Sequence, residues 1–440
     1  MNKINSSILS ACLALSISSC ENSFDINSHA EGVLAFAQEG FNTLQSYDVG
    51  EEYVVDLWIQ QGGLNLSAST IEISVDESLV DSINKSDGTS YKLLPADCYK
   101  LPEEVIHTSD KERLMKKTLT YNPTKIKELS GYNHVQYILP IRAKSSGMPF
   151  IAERSTMLLG FNVSEPIVTI MNPGVEVINP SNVSELGISI GVPFTNKWEI
   201  TCQLANNQSV IDDYNRVNNT YFSMLPADSY TSPDTPVLKA GISQVTATYK
   251  LKQNLLPGNY MLPVQISSIS STATIKVDKE SYTAYCIIKE GEKLSKSNWK
   301  IVSATTEEPT GEGSNNGKAK HMIDDNSETF WHTKWSGGSD PLPYEIVIDM
   351  IQKVKIAQIE LLPRGRGSNN PLKVVRFEAS ENGQNWTPIG QFGFTNQDAP
   401  LKYYVKSATA RYIKLIVPDQ GGNTTVAAIR ELDVKGTIIE

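Results

Sequence analysis

Three short blocks of sequence occur twice, in the same order and at nearly the same spacing. Leu94–Asp97 (LPAD) returns as Leu225–Asp228, 131 residues later. Upstream, IEISVD at 71–76 matches WEITCQ at 198–203, and downstream YILPI at 137–141 matches YMLPV at 260–264. Self-similarity at a fixed period indicates tandem copies of one structural unit. The sequence therefore predicts two copies of a single domain, at residues 27–155 and 163–290.

Both copies have the residue pattern of β-strands. Polar residues alternate with β-branched and aromatic ones in HVQYILPIRA, EITCQL and QVTATYKL, and Gly, Asn, Asp and Pro separate such runs. Strands of this kind bury one face, so each copy is predicted to be a β-sandwich. SDKERLMKK at 109–117 is the exception, because it predicts a short helix or a charged loop.

The first twenty residues predict export and a lipid anchor. ILSACLALSI is an apolar run too short to span a bilayer as a helix, and Ile-Ser-Ser precedes Cys20. This stretch resembles a bacterial lipobox, in which the cysteine becomes the lipidated first residue of the mature chain. The resemblance implies a signal peptide at 1–20, a tether at 21–26 and a lipid-anchored protein. We expect it in the outer membrane, at the cell surface, with the periplasmic side as the alternative. An ordinary secretory signal with a chance cysteine is the alternative.

Charge and cysteine content exclude some classes of function. The formal net charge is −10 and no basic run is present, which argues against a nucleic-acid partner. After Cys20 the chain has Cys98, Cys202 and Cys286, an odd number that excludes a complete disulfide framework. Cys202 and Cys286 are predicted to be buried free thiols, with a disulfide between them as the alternative. No CxxC or Cys/His cluster indicates a zinc site.

The repeated blocks read LPADCY at 94–99 and LPADSY at 225–230. They resemble a motif of a known group of proteins. Tandem β domains with an LPADxY block after a lipobox resemble the N-terminal domains of unknown function in Bacteroidetes surface lipoproteins. The resemblance implies a spacer or assembly role ahead of a glycan-recognition module. It also implies other surface glycan-uptake proteins as possible partners.

The residue pattern changes after a polar, charged link at 290–301. In order come DDNSETFW at 324–331, EIVIDM at 345–350, SENGQNW at 380–386 and AIRELDV at 428–434. This order resembles the F5/8 type C (discoidin-like) domain, especially carbohydrate-binding module family 32. Asp325 stands where that family usually has Gly, and Met350 where it usually has Leu. The resemblance implies a jelly-roll β-sandwich at 295–440, which makes the whole chain all-β.

The same resemblance implies one structural cation, held by the 324–331 loop and the Glu of the last strand. Ca²⁺ is expected because it prefers carboxylate, carbonyl and hydroxyl oxygens. A solvated acidic turn is the alternative, and Asp325 and Glu328 are expected to face solvent. By position, the ligands would be Asp324, Thr329, Glu431 and Asn326, with backbone carbonyls near His321 and Ala428.

Trp335 lies in a loop of small and polar residues, TKWSGGSDP. An aromatic ring that a loop holds outward is a platform for the apolar face of a sugar, whereas Trp331 is expected in the core. The alternatives are that Trp335 is a buried anchor, that His332 belongs to the framework and that Arg364 braces its loop. The predicted glycan-binding residues are Trp335, His332, Arg364, Arg366 and Asn369.

These features together predict a lipid-anchored surface protein that binds a polysaccharide or host glycoconjugate without catalysis. A glycosidase needs two carboxyl groups about 5–10 Å apart, usually on a larger scaffold, and no segment indicates one. One alternative is an adhesin or assembly component that binds protein or lipid. Another is an accessory subunit of a glycoside hydrolase.

Overall fold

The computed structural model describes residues 31–102, 106–108 and 111–439. The chain divides into two compact units, the first ending at Glu165 and the second beginning at Pro166. Cys20 and the predicted signal peptide and tether lie outside the described residues. Within the described ranges, no helix is long and apolar enough to cross a membrane.

The first unit is built almost entirely of strands, with short helices between some of them. Helix α2 begins at Pro123, after Asn122, whose side chain accepts the Lys125 N–H, and it ends at Ser130, with Gly131 as its C-cap. The elements are β1 Val33–Phe36, β2 Phe41–Tyr47, β3 Tyr53–Gly62, β4 Thr70–Val75, α1 Ser78–Asp87, β5 Lys92–Leu93, a 3₁₀ turn Ala96–Cys98, β6 Tyr99–Lys100, β7 Ile106–His107, β8 Leu114–Tyr121, α2 Pro123–Ser130, β9 Tyr137–Ser145, a 3₁₀ turn Ala152–Arg154 and β10 Thr156–Ser164.

The second unit opens with a segment of similar composition. Its elements are β11 Ile167–Ile170, β12 Gly174–Ile178, β13 Glu185–Gly191, β14 Ile200–Ala205, α3 Gln208–Asn218, β15 Ser223–Met224, a 3₁₀ turn Ala227–Ser229, β16 Tyr230–Thr231, β17 Val237–Leu238, β18 Gln244–Leu251, β19 Gly258–Ser270, β20 Lys276–Val277 and β21 Tyr282–Lys289.

These two segments have the same strand order. In the first, one sheet runs β1-β3-β8-β6 and the other β2-β10-β9-β4-β7, with β5 beside β9. In the second, the corresponding orders are β11-β13-β18-β16 and β12-β21-β19-β14-β17, with β15 beside β19 and β20 added next to β11. The parallel pair β2–β10 also recurs, as β12–β21. The repeated sequence blocks thus correspond to a repeated topology.

The expectation of a helix or charged loop at 109–117 is wrong for its second half, because β8 begins at Leu114. Met115, Leu119 and Tyr121 are buried, so β8 follows the period of two that a strand requires. Lys116, on the outer face, lies 3.5 Å from Asp56 of the adjacent β3. Lys116 therefore belongs to the exposed face of a strand, and residues 111–113 precede it.

The cysteines of both segments are buried free thiols: Cys98, Cys202 and Cys286. Burial raises the pKa of each thiol to about 11, so all three stay protonated at neutral pH. The structure agrees with the prediction for Cys202 and Cys286, and the alternative disulfide between them is absent from the described residues.

The remainder of the second unit is a curled sheet that closes around one core. Trp331, Tyr344 and Phe377 are among its fully buried side chains, and Met350 fills a buried position that Leu would also suit. The elements are β22 Glu292–Lys293, β23 Lys300–Ala304, a 3₁₀ turn Ala319–Met322, β24 Trp331–His332, β25 Tyr344–Pro363, β26 Val374–Ser380, β27 Thr387–Gly393, β28 Leu401–Val417 and β29 Ala428–Ile438.

Its strand order is β22-β29-β25-β28-β26-β27, with β23 against β25 and β24 against β29. The long strand β25 has register shifts between Asp349 and Val354 and between Ile356 and Gln358, and such bulges let a strand bend between layers. This is a jelly-roll β-sandwich, so the predicted all-β class is confirmed. We call residues 292–438 the C-terminal domain.

Within the second unit, the repeat segment packs directly on the C-terminal domain. The buried Asn259 amide donates hydrogen bonds to the carbonyls of Ala357, at 3.0 Å, and Val405, at 2.9 Å. The Tyr221 hydroxyl accepts the Gln391 N–H at 2.9 Å, and the Tyr221 ring meets Phe392 edge-on. The buried hydrogen bonds of Asn259 would be lost in any other arrangement, so they favour a single orientation of the two parts.

Candidate functional site

A carboxylate that sequence reasoning missed lies at the centre of the predicted glycan site. Glu312 Oε1 accepts a hydrogen bond from Trp335 Nε1 at 3.1 Å, and Oε2 accepts one from Arg364 Nη2 at 3.2 Å. His332 Nε2 lies 4.0 Å from Glu312 Oε1. Three of the five predicted residues therefore meet around one side chain. The only sequence signal was an acidic residue between two glycines.

The Trp335 side chain forms an exposed platform rather than a buried anchor. The residue is 49% exposed, although its indole nitrogen is bonded to Glu312. The ring lies against Gly311, where an added Cβ would come within 2.5 Å of the indole. Glycine thus leaves room for the indole beside the backbone, and the hydrogen bond from Nε1 to Glu312 holds the ring there.

His332 and Arg364 have framework contacts as well as a position beside Glu312. His332 is buried, and its Nδ1 lies 2.6 Å from the Thr333 carbonyl, so Nδ1 carries a proton and Nε2 faces Glu312. The Arg364 guanidinium lies 4.1 Å from the centre of the Phe330 ring, a cation–π contact. Both side chains are therefore held in place before any ligand binds.

Arg366 and Asn369 are exposed in the loop that follows β25. In the part of the chain that the structure describes, neither side chain makes a hydrogen bond or ion pair, so no contact joins them to Glu312. The adjacent Asn370 is buried, and its amide bonds both the N–H and the carbonyl of Ala428. The sequence offered two adjacent asparagines and no way to tell which one supports the loop.

A second missed carboxylate, Glu308, connects the loops that carry Glu312 and Trp335. It is fully buried, and it accepts the N–H groups of Thr310 and Gly311 on one side. On the other side it accepts the N–H groups of Trp335 and Ser336, both at 2.8 Å, and the Ser336 hydroxyl. Burial alone would raise the pKa of Glu308, but these hydrogen bonds hold it well below the ordinary value.

The predicted cation ligands converge at the other acidic loop. Thr329 Oγ1 lies 2.9 and 2.8 Å from the two Asp324 carboxylate oxygens, and Asp324 also contacts His321 Nδ1 at 3.1 Å. Asp325 has a φ of 56°, a left-handed conformation that explains why glycine suits this position. It is exposed, as expected, but its carboxylate pairs with lysines.

Asn326 contributes to this loop mainly through its backbone. Its N–H donates to Asp324 Oδ1 at 3.1 Å, and its carbonyl accepts the Thr329 hydroxyl at 2.9 Å. Its side-chain oxygen accepts the Glu328 N–H, as in an Asx turn. The Ala428 carbonyl, expected in the same shell, accepts the Asn370 amide at 2.7 Å.

Glu431 places an unpaired buried oxygen beside this loop. The residue is 6% exposed, and its Oε1 has no hydrogen-bond partner among the described residues. Burial raises the pKa of Glu431 to about 7, with Asp433 and Asp324 adding to the effect and Lys296 opposing it. When protonated, Glu431 can donate to Asp324. Crowded carboxylates with an orphaned oxygen suit a divalent cation, so these residues fit the implied ion.

Comparison with known proteins assigns families to these parts of the chain. Residues 302–432 match the model of the F5/8 type C domain. Residues 33–149 and 164–273 each match one model described as an N-terminal domain, and together they cover just over half of the chain.

Individual relatives match the C-terminal part. A sialidase of Micromonospora viridifaciens is 30% identical over 145 residues, 32% of this chain, and the match spans only 22% of the sialidase. The C-terminal domain of a chitobiase from Bacteroides fragilis is 78% identical over 34% of this chain and all of that domain, with a TM-score of 0.34. A family 32 carbohydrate-binding module from Clostridium perfringens, solved with galactose, is 28% identical over 33% of this chain and 98% of that module, with a TM-score of 0.28.

The repeated topology and the two matches to one model describe the same segments. The jelly-roll core and the F5/8 type C match likewise coincide. The chain therefore belongs to the family that carries this N-terminal domain, here in two copies, and it continues into a domain of the F5/8 type C family at residues 302–432.

Proposed function

We propose that the C-terminal domain binds a glycan non-covalently on the surface formed by Trp335, Glu312 and Arg364. One observation carries this proposal: a half-exposed indole lies fixed on Gly311, beside a carboxylate and a guanidinium. The C–H face of a sugar ring packs on such an indole, while the charged groups bond its hydroxyls. Membership in the F5/8 type C family supports the proposal.

The polar groups of the site suit hydroxyl recognition. Glu312 has lone pairs left after bonding Trp335 and Arg364, and Arg364 has N–H groups left to donate. A sugar that lacks the matching hydroxyl would leave these groups unpaired, which gives selectivity. An open site for one or two sugar units should bind with a Kd of about 0.1–1 mM, or about 4–5.5 kcal/mol.

We also propose that this surface binds without catalysing a reaction. A glycosidase uses one carboxyl that holds a proton and a second that is ionised. Glu308 is sealed from solvent by donors that keep it ionised, and Glu312 is paired with Arg364. Neither carboxyl is arranged as a proton donor, which supports a binding role for the site.

The substitution Trp335→Ala should remove detectable binding and leave the domain folded, because the exposed ring contributes little to the core. Galactose, the sugar in the related complex, is the first probe for calorimetry, followed by a glycan array. Trp386→Ala is the control, because Trp386 is half-buried under Lys414 and contacts none of the site residues. Equal binding by wild type and the Trp335 variant would contradict the proposal.

We propose further that Asp324, Thr329 and Glu431 hold a structural Ca²⁺, which would neutralise the facing carboxylates. A ligand that binds only the folded state stabilises it by about 2.7 kcal/mol at a hundredfold excess over Kd. EGTA should therefore lower the melting temperature of the second unit, and Asp324→Asn should lose the response. Glu328→Gln, in the same loop but exposed, should keep it. A melt indifferent to both EGTA and Ca²⁺ would argue against the site.

For the anchor, we propose lipidation of Cys20 and attachment to the outer membrane at the cell surface, with other glycan-uptake proteins as partners. Cys20→Ala should abolish acyl labelling and move the protein out of the membrane fraction. Cys12→Ala, in the same apolar run, is the control and should stay in the membrane fraction. Membrane partitioning of the Cys20 variant equal to wild type would exclude this anchor.

A further inference from the structure

Lys296 is a buried lysine in the segment between β22 and β23, and its side chain is fully inaccessible. Its ammonium pairs with Glu431 Oε2, lies 2.8 Å from Asp433 Oδ1 and lies 3.2 Å from Asp325 Oδ1. One positive charge thus holds a cluster of three carboxylates.

This cluster shares a residue with the proposed cation site. Glu431 turns Oε2 toward Lys296, Oε1 has no hydrogen-bond partner among the described residues, and the Glu431 carboxyl lies close to Asp324. Asp325, which pairs with Lys296, directly follows Asp324 in the loop. A cavity of about 210 Å³ opens on Asp325, Glu431 and Asp433. The ammonium and a bound cation would therefore both act on Glu431, the carboxylate that the two clusters share.

We propose that Lys296 is the internal counter-ion of the cation site. Its ammonium holds Asp325, Glu431 and Asp433 together when no divalent cation is bound, and it holds Glu431 through Oε2 so that Oε1 stays free for the ion. The inference rests on the proposed cation site. The ammonium protects the cation-free domain and at the same time repels the incoming ion. Because coupling between two sites is reciprocal, removing the lysine charge should tighten cation binding.

A neighbouring lysine offers a matched control. Lys293 lies 2.9 Å from Asp433 and 3.6 Å from Asp325, but its side chain is 51% exposed. In the described residues it makes no ion pair with Glu431. Lys293→Met and Lys296→Met therefore each remove one positive charge, three residues apart, and only the second removes the buried contact to the shared carboxylate.

The experiment compares the purified protein and both variants by thermal melting in EGTA and in CaCl₂, with calorimetric titration of Ca²⁺. Lys296→Met should melt about 10 °C below wild type in EGTA, because it leaves buried carboxylates without their partner. Ca²⁺ should raise its melting temperature more than that of wild type. Its Kd for Ca²⁺ should be roughly tenfold lower, because the variant lacks the ammonium charge. A single and a double positive charge a few ångströms apart repel each other even in water. Lys293→Met should change both quantities little.

The outcomes distinguish a failure of the counter-ion role from a failure of the cation site itself. If Ca²⁺ stabilises wild type but Lys296→Met melts like Lys293→Met in EGTA, the counter-ion role alone is overturned. If neither wild type nor the variants respond to Ca²⁺, the cation site fails and the inference falls with it. Should Lys296→Met not fold, the double variant with Asp433→Asn restores the charge balance. Recovery of its fold and its Ca²⁺ response would support the role, and no recovery would overturn it.

Discussion

Glu308→Ala should destabilise the C-terminal domain by about 3–5 kcal/mol and abolish glycan binding, because it leaves buried N–H groups without an acceptor. The carboxylate accepts hydrogen bonds from Gly311 on one loop and from Trp335 and Ser336 on another. Without it, the backbone N–H groups that it joins across the two loops have no acceptor. Urea unfolding measures the first effect and calorimetry with galactose the second.

Two further variants test whether Glu308 acts through its charge. Glu308→Gln keeps the shape but turns an amide N–H₂ toward backbone donors, so it should lose much of the same stability. Glu307→Gln is the control, because Glu307 accepts one hydrogen bond, from the Ala319 N–H. A Glu308→Gln protein as stable as wild type, with unchanged binding, would contradict the proposed role.

The depressed pKa of Glu308 also predicts a pH dependence. A carboxyl whose folded pKa lies below its unfolded value stabilises the fold fully above the unfolded pKa. That contribution declines as the pH falls below the unfolded value toward the folded pKa. The difference in stability between wild type and Glu308→Gln should therefore be largest near neutral pH and shrink in acid.

Trp331→Ala should cost about 3–5 kcal/mol in the free energy of unfolding, because it removes a large side chain from a packed core. Trp331 has no exposed surface, and its indole nitrogen donates to the Thr306 carbonyl at 2.9 Å. Trp331→Phe should cost less, since it keeps most of the ring and leaves only that carbonyl unbonded.

Trp335, four residues further along the chain, provides a direct comparison for this prediction. Trp335→Ala should change the unfolding free energy by less than about 1 kcal/mol, as expected for a surface site. Chemical unfolding of both variants, monitored by circular dichroism, distinguishes the two roles. Similar losses of stability in the two variants would show that the division between core and platform is wrong.

Features that depend on repetition or local pattern were predictable from the sequence. The repeated LPAD blocks led to one topology in two copies, because homologous strands and turns preserve their order. The resemblance to the F5/8 type C pattern implied that Asp324, Thr329 and Glu431 lie close together, and the structure brings Asp324 into contact with Thr329 and close to Glu431. Charged residues hid the start of β8, because Lys117 stands between the buried Met115 and Leu119, where the period of two calls for an apolar residue.

The sequence by itself determined the all-β class, the repeat and the core role of Trp331, since burial follows periodicity and a family pattern. Only the tertiary structure decided that Glu308, Glu312 and Lys296 are central, and that Asn370 rather than Asn369 supports its loop. The physical reason is that loop side chains have no period to follow. Their roles depend on which distant loops the closed sandwich brings together, and a buried carboxylate or ammonium persists only where those loops supply its partners.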